Sequence, residues 1–171
     1  MFAGLTLWSF LLSCPIGFVI GVGGSIYSRL NPEEWRVKNP PEWAFVDSTA
    51  YLDMYIGTKT VSKGADGSLS AVIKFVPRDT EAGKKKKKEM IDMLTAEVGE
   101  SQASSFSFVL DTVEFQCSAN TSVFRREILC DWQGNIIHTE DYEPYTPEES
   151  GLFTTGHSLQ KAACYLAQRM K

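Results

Sequence analysis

The chain has 171 residues, 43% of them hydrophobic, and 17 Lys and Arg against 21 Asp and Glu leave a net charge of −4. That length holds one domain of ordinary size. The acidic balance offers no electrostatic footprint for a polyanion, so nucleic acid is not expected among the partners.

The first thirty residues, MFAGLTLWSFLLSCPIGFVIGVGGSIYSRL, carry no charged side chain before Arg29. At a rise of about 1.5 Å per residue, a helix from Met1 to Gly21 already crosses a hydrocarbon core of about 30 Å. A cleaved signal peptide calls for a basic head and a short apolar core. Here the head has no Lys or Arg and the apolar run is too long. Leu11-Leu12-Ser13-Cys14 approximates a lipobox, which makes lipidation of Cys14 the alternative. The residues after Cys14 are apolar, however, where a lipoprotein continues as a polar tether. The reading is therefore an uncleaved, single transmembrane helix over 1–30, kinked near Pro15 and with Trp8 and Tyr27 as interface anchors. Gly17, Gly21 and Ser25 share one helix face at a spacing that lets a second membrane helix approach closely. The expected partners are the lipid bilayer and other membrane-protein subunits, with a homodimer through the same face as a variant.

Residues 31–42 form a linker stiffened by Pro32, Pro40 and Pro41. The remainder, 43–171, reads as one water-facing α+β domain. Trp43–Asp47 and Tyr51–Ile56 are aromatic-rich strands, followed by a turn at Ala65-Asp66-Gly67. Leu69–Val76 alternates, with Leu69, Ala71, Ile73 and Phe75 on one face, and Pro77 ends it. The lysine run Lys84–Lys88 is expected as a solvated loop, with anionic head groups or an acidic partner as the alternative. It leads into a short amphipathic helix marked by Met90, Ile91, Leu94 and Val98.

Three strands follow: Ser105–Cys117, Val123–Trp132 and Asn135–Tyr142. The first sets Phe106, Phe108, Leu110 and Thr112 on one side and Val109, Asp111, Val113 and Phe115 on the other. Centring the first hairpin on Asn120 puts Glu114 opposite Arg126 and Leu110 opposite Cys130. Centring the second between Gln133 and Gly134 puts Arg126 opposite Asp141 and Cys130 opposite Ile137. A terminal helix, Ser158–Met170, has Ser158 as N-cap and an apolar stripe of Leu159, Ala163, Leu166 and Met170. The fold class is thus a single N-terminal transmembrane helix followed by an antiparallel sheet of about six strands, with a C-terminal helix packed on it.

The four cysteines contain no CxxC or CxxCH spacing. Cys117 sits at the tip of the first hairpin and Cys130 about seven rungs down it. That is too far for a bridge, whose Cα atoms lie within about 7 Å. Cys14 lies in the apolar stretch, so Cys117 is expected to pair with Cys164 and leave Cys130 as a buried thiol. Such a bond points to an exported domain. Counting only Arg29, Arg36 and Lys38 beside the helix points the other way, and the disulfide is given the greater weight.

No nucleophile elbow, P-loop or dinucleotide fingerprint is present. No catalytic, cofactor-binding or metal-ligating residue is assigned, and neither enzyme activity nor a cofactor is expected. His138 and Glu140 share a strand face, and His157 precedes the terminal helix; both histidines read as surface or capping groups. Glu140, Asp141, Glu143, Glu148 and Glu149 read as a solvated acidic stretch, with weak calcium binding as the alternative. Asn120-Thr121-Ser122 reads as a polar turn rather than a glycosylation site.

In chain order, several features resemble the surface-adhesin protein E-like domain of Gram-negative bacteria. They are Trp43, the segment Tyr55-Ile56-Gly57-Thr58-Lys59, the strand end Val72–Pro77, and the cysteine of Val113–Cys117. The turn Trp132-Gln133-Gly134-Asn135 and the start Gly156-His157-Ser158 of a cysteine-bearing helix complete the set. The resemblance implies an antiparallel sheet packed by a helix, a disulfide to that helix, and export to the periplasm or cell surface. It also implies adhesion to host matrix proteins as one known activity. The chain departs from the family in its anchor, its lysine-rich insertion and Cys130. The function expected is therefore a non-enzymatic accessory subunit in a bacterial membrane. Its domain would lie in the periplasm and brace a larger complex, an energy-transducing one being a candidate. A surface lipoprotein adhesin is the alternative.

Overall fold

A computed structural model describes residues 42–142, 148–149 and 155–169. The stretch 1–30 expected to form an anchor, with Cys14, Gly17, Gly21 and Ser25, lies outside the described residues, as do nearly all of the expected linker and Met170. Among the described residues no helix is long and apolar enough to cross a membrane.

The strands are β1 (Trp43–Ser48), β2 (Leu52–Gly57), β3 (Ser62–Lys63), β4 (Leu69–Pro77), β5 (Phe106–Gln116), β6 (Thr121–Asp131), β7 (Ile136–Asp141) and β8 (Glu148–Glu149). Three helices join them: α1 (Glu81–Val98), the single turn α2 (Glu100–Ala103) and α3 (Thr155–Arg169). All pairings are antiparallel, in the order β1-β2-β4-β5-β6-β7. The two-residue strands β3 and β8 extend the sheet beside β4 and β6.

Alternation along each strand separates two faces. Leu69, Ala71, Ile73 and Phe75 of β4 are buried, and their partners on β5 are Phe115, Val113, Asp111 and Val109. This face continues through Met54 and Ile56 of β2, and Met90 and Leu94 of α1 close over it together with Leu159, Ala162, Ala163 and Leu166 of α3. Both helices therefore cover the same side. The opposite side carries Phe45, Tyr55, Lys74, Leu110 and Ile128, all half-buried.

The lysine run is not a loop. Thr80 caps α1, its hydroxyl accepting from the Gly83 amide at 3.1 Å, so Lys84–Lys88 occupy the first turns of the helix itself. With the cap supplied, helix propensity outweighs mutual repulsion, since lysine is a good helix former. Lys86 alone among the five turns inward and is buried. The terminal helix also starts earlier than Ser158. That hydroxyl lies in the first turn and donates to Asp47 on β1 at 2.9 Å, so it docks the helix rather than capping it.

The first hairpin turns at Cys117–Asn120, with Asn120 at φ 56°, rather than symmetrically about Asn120. Leu110 consequently meets Ile128, Phe108 meets Cys130, and Thr112 meets Arg126. From Phe108 to Thr112 the shift is a whole pair, so no side chain there changes face. A bulge at Arg125 then lets its guanidinium reach Glu114 at 2.6 Å, replacing the expected Glu114–Arg126 pair. The expected Arg126–Asp141 pairing is present. A bulge in β7 sets Cys130 opposite Ile136 instead of Ile137. The turn between β6 and β7 is held by Asp131, whose carboxylate accepts from the Gln133 and Asn135 amides and from the Asn135 side chain, each at 2.8 Å. Gly134 there has φ 88°, which a residue with a Cβ rarely adopts.

Cys117 and Cys164 are bonded across a Cα separation of 6.1 Å, fastening α3 to the β5–β6 turn. On the loop-entropy relation, closing 47 residues is worth about 4 kcal/mol. Cys164→Ser should lower the urea-unfolding free energy by about that amount, with reducing agent giving the same loss in the native chain. Gly83 is buried beneath the Arg78 carbonyl, where an added Cβ would clash with backbone. Gly83→Ala is expected to cost about 1–3 kcal/mol despite alanine's better helix propensity, read from the same urea curves.

Candidate functional site

Two regions carry unusual chemistry, one on each face. On the open face a row crosses all six long strands: Phe45, Tyr55, Lys74, Leu110, Ile128 and Thr139. Phe45 and Tyr55 meet edge to face, with ring centres 5.6 Å apart. The Lys74 ammonium lies 3.9 Å from the Phe108 ring centre and 5.6 Å from that of Trp43, placing a cation beside two aromatic rings. At the β6–β7 end, Trp132 and Ile136 are 75% and 65% exposed, the two large hydrophobic side chains left in water among the described residues. Trp132 stands beside a turn locked by Asp131, so it is displayed from a fixed backbone.

The covered face holds the second region. The row Ala44, Ile56, Ile73, Asp111, Glu127, Glu140 crosses the same six strands. Its first half is apolar and its second half is three carboxyl groups on adjacent strands. Asp111 and Glu127 are opposite each other and wholly buried. None of their four carboxyl oxygens has a hydrogen-bond partner, and neither does the Tyr142 hydroxyl. Tyr142 is brought there by its amide, which donates to the Arg125 carbonyl at the bulge, 2.9 Å away. Above the row, His138 Nε2 lies 3.3 Å from a Glu97 carboxylate oxygen, joining β7 to the last turns of α1.

Burial, and then the charge of Glu127, hold the Asp111 carboxyl well above the usual range. Glu127 is pushed to about 7, chiefly by burial and then by Glu140 and Glu97. Tyr142 opposes this weakly: its hydroxyl is near enough to favour the Glu127 carboxylate, but it does not reach ordinary hydrogen-bond geometry. The phenol itself is raised by burial and by Glu127, Glu140 and Asp111.

His138 and Glu140 do share a face, as their spacing predicts, and it is the covered face rather than the surface. Asp141 instead pairs with Arg126 on the open side. The acidic stretch is thus divided between the two faces; Glu143 lies outside the described residues. Among the described residues no group of three His, Cys, Asp or Glu side chains is placed to hold a metal ion. His157 lies 3.4 Å from the Asn120 side chain, linking α3 to the β5–β6 turn. The Asp111–Glu127 pair escapes motif reading because it matches no motif. Its signal is the alternation of β5, which already sets Asp111 beside Val109, Val113 and Phe115.

Comparison with family models, with curated proteins and with solved structures finds no match to this chain.

Cys130 is buried, and burial followed by the Asp131 charge raises its thiol above the ordinary value, with Lys74 opposing. The thiolate is the reactive form. Cys130 should therefore resist alkylation in the folded protein and label stoichiometrically in denaturant, a contrast read by mass spectrometry.

Proposed function

We propose that this chain is a non-enzymatic interaction module. On this reading residues 1–30 anchor it in a bacterial membrane, and 43–171 lies in the periplasm bracing a larger membrane complex. The observation that carries the reading is the open sheet face. Among the described residues two helices close one side of the sheet, while the other presents a band of half-buried aromatic and aliphatic side chains, with Trp132 and Ile136 exposed at its β6–β7 end. Large apolar side chains displayed on a rigid frame suit contact with a protein partner. The Cys117–Cys164 bond supports export. The small-residue face of Gly17, Gly21 and Ser25 would pack on helices of the same complex. The adhesin-like resemblance keeps a surface lipoprotein as the second reading, favoured by Leu11-Leu12-Ser13-Cys14.

Extraction from the native membrane in mild detergent, followed by intact-mass analysis, tests this. The expected result is a chain retaining Met1 and one disulfide, with companion subunits that are lost in a Trp132→Ala, Ile136→Ala double variant of unchanged melting temperature. A chain beginning at a lipid-bearing Cys14 and purifying alone overturns the accessory-subunit reading in favour of the adhesin.

A further inference from the structure

We propose that Asp111 and Glu127 form a proton-binding pair, in which one carboxyl remains the neutral acid near neutral pH and donates a hydrogen bond to the other across β5 and β6. This inference does not depend on where the chain resides or what it contacts.

The geometry sets the requirement. As carboxylates the two groups are acceptors only, so they have nothing to offer each other. Their oxygens are buried without partners, and residues directly opposite on antiparallel strands have Cβ atoms about 4.5–5.5 Å apart. Two unscreened negative charges at that range in a low-dielectric interior are far costlier than one charge and one acid. A single bound proton converts one acceptor into a donor and relieves both the desolvation and the repulsion.

The surroundings supply no better remedy. From β4 the neighbour of Asp111 is Ile73. From β7 come Glu140 and His138, and His138 is already engaged with Glu97 of α1. The segment after β7 contributes the Tyr142 phenol, which favours the Glu127 carboxylate without reaching ordinary hydrogen-bond geometry. From α1 the inward cation is Lys86, whose ammonium is 3.8 Å from Glu89. The buried face of α3 is Leu159, Gln160, Ala162, Ala163, Leu166 and Ala167, without charge. The acids on β7 and α1 raise Glu127 further, as its value of about 7 reflects.

The sign of the coupling follows. The folded protein holds a proton on Glu127 up to about pH 7, whereas the unfolded chain releases it near 4.5. Stability is greatest at the acid end of that window and falls as pH rises through it. The folding equilibrium constant should drop by on the order of a hundredfold across the window.

The test is infrared spectroscopy of the full-length chain in mild detergent, following the carboxylic-acid C=O stretch against pH. The expected result is an acid band at about pH 7 that is absent from an Asp111→Asn, Glu127→Gln double variant, with urea unfolding losing its fall between about pH 4.5 and 7 in that variant. A band that disappears by about pH 5.5, where ordinary carboxyls are ionised, overturns the proposal, as does a band that persists in the double variant. Loss of the band on adding millimolar calcium or magnesium at constant pH also overturns it, since a cation would then be the occupant. If the double variant does not fold, carbon-13 shifts of the two carboxyls in the native sequence decide by the same criterion.

Discussion

The row from Ala44 to Glu140 crosses six strands on the face that both helices cover, and its two halves make opposite demands on whatever closes them. Ile56 and Ile73 need only apolar cover, which α3 provides through Leu159, Ala163 and Leu166. Asp111, Glu127 and Glu140 need neutralisation or water, and the element over them is the end of α1 that carries Glu97, itself acidic. The sheet is thus held firmly on its β1–β4 side. Toward β7 its fit depends on the charge state of two side chains. The disulfide ties α3 to the β5–β6 turn, and a half-exposed His138–Glu97 contact joins the far end of α1 to β7.

Much of this was legible in the chain. Strict alternation in Leu69–Val76 and Ser105–Cys117 predicts both strands and both faces, because one face of an antiparallel sheet is dry and the other wet. The pairing of Cys117 with Cys164 follows from hairpin geometry, which excludes Cys130, together with the place of Cys14 in the apolar stretch. What was not legible falls into two kinds. Bulges at Arg125 and in β7 insert a residue without any compositional mark, so the partners of Glu114 and Cys130 were each displaced. The five lysines read as a loop because like charges repel. The Thr80 cap, and the burial of Met90 and Leu94 further along the same helix, outweigh that repulsion.

The buried acids belong to a third case, in which the pattern was visible but its meaning was not. Alternation places Asp111 among Val109, Val113 and Phe115, yet a polar residue in such a stripe is ordinarily satisfied by a partner elsewhere in the chain. Only the register of β5 on β6 reveals that the residue facing Asp111 is Glu127, and only the fold shows that the oxygens of both lack a hydrogen-bond partner of ordinary geometry. A sequence that places like charges opposite each other in a core departs from local consistency. Such departures concentrate where a protein does something other than fold.

The position of β1 has a mechanical consequence. It is an edge strand and the first to receive any tension applied from the N-terminal side, so such a pull would peel the sheet from that edge. Peeling β1 must also break the Asp47–Ser158 hydrogen bond and strip α3 from the strand. Once the strands and helices between β1 and Cys117 have also been drawn out, the covalent bond between Cys117 and Cys164 takes the load. The 47 residues it spans cannot be drawn out, which shortens the fully extended chain by about 160 Å at roughly 3.4 Å per residue. A domain built this way yields first at β1, and it retains a closed covalent loop that runs from the β5–β6 turn through β6 and β7 into α3.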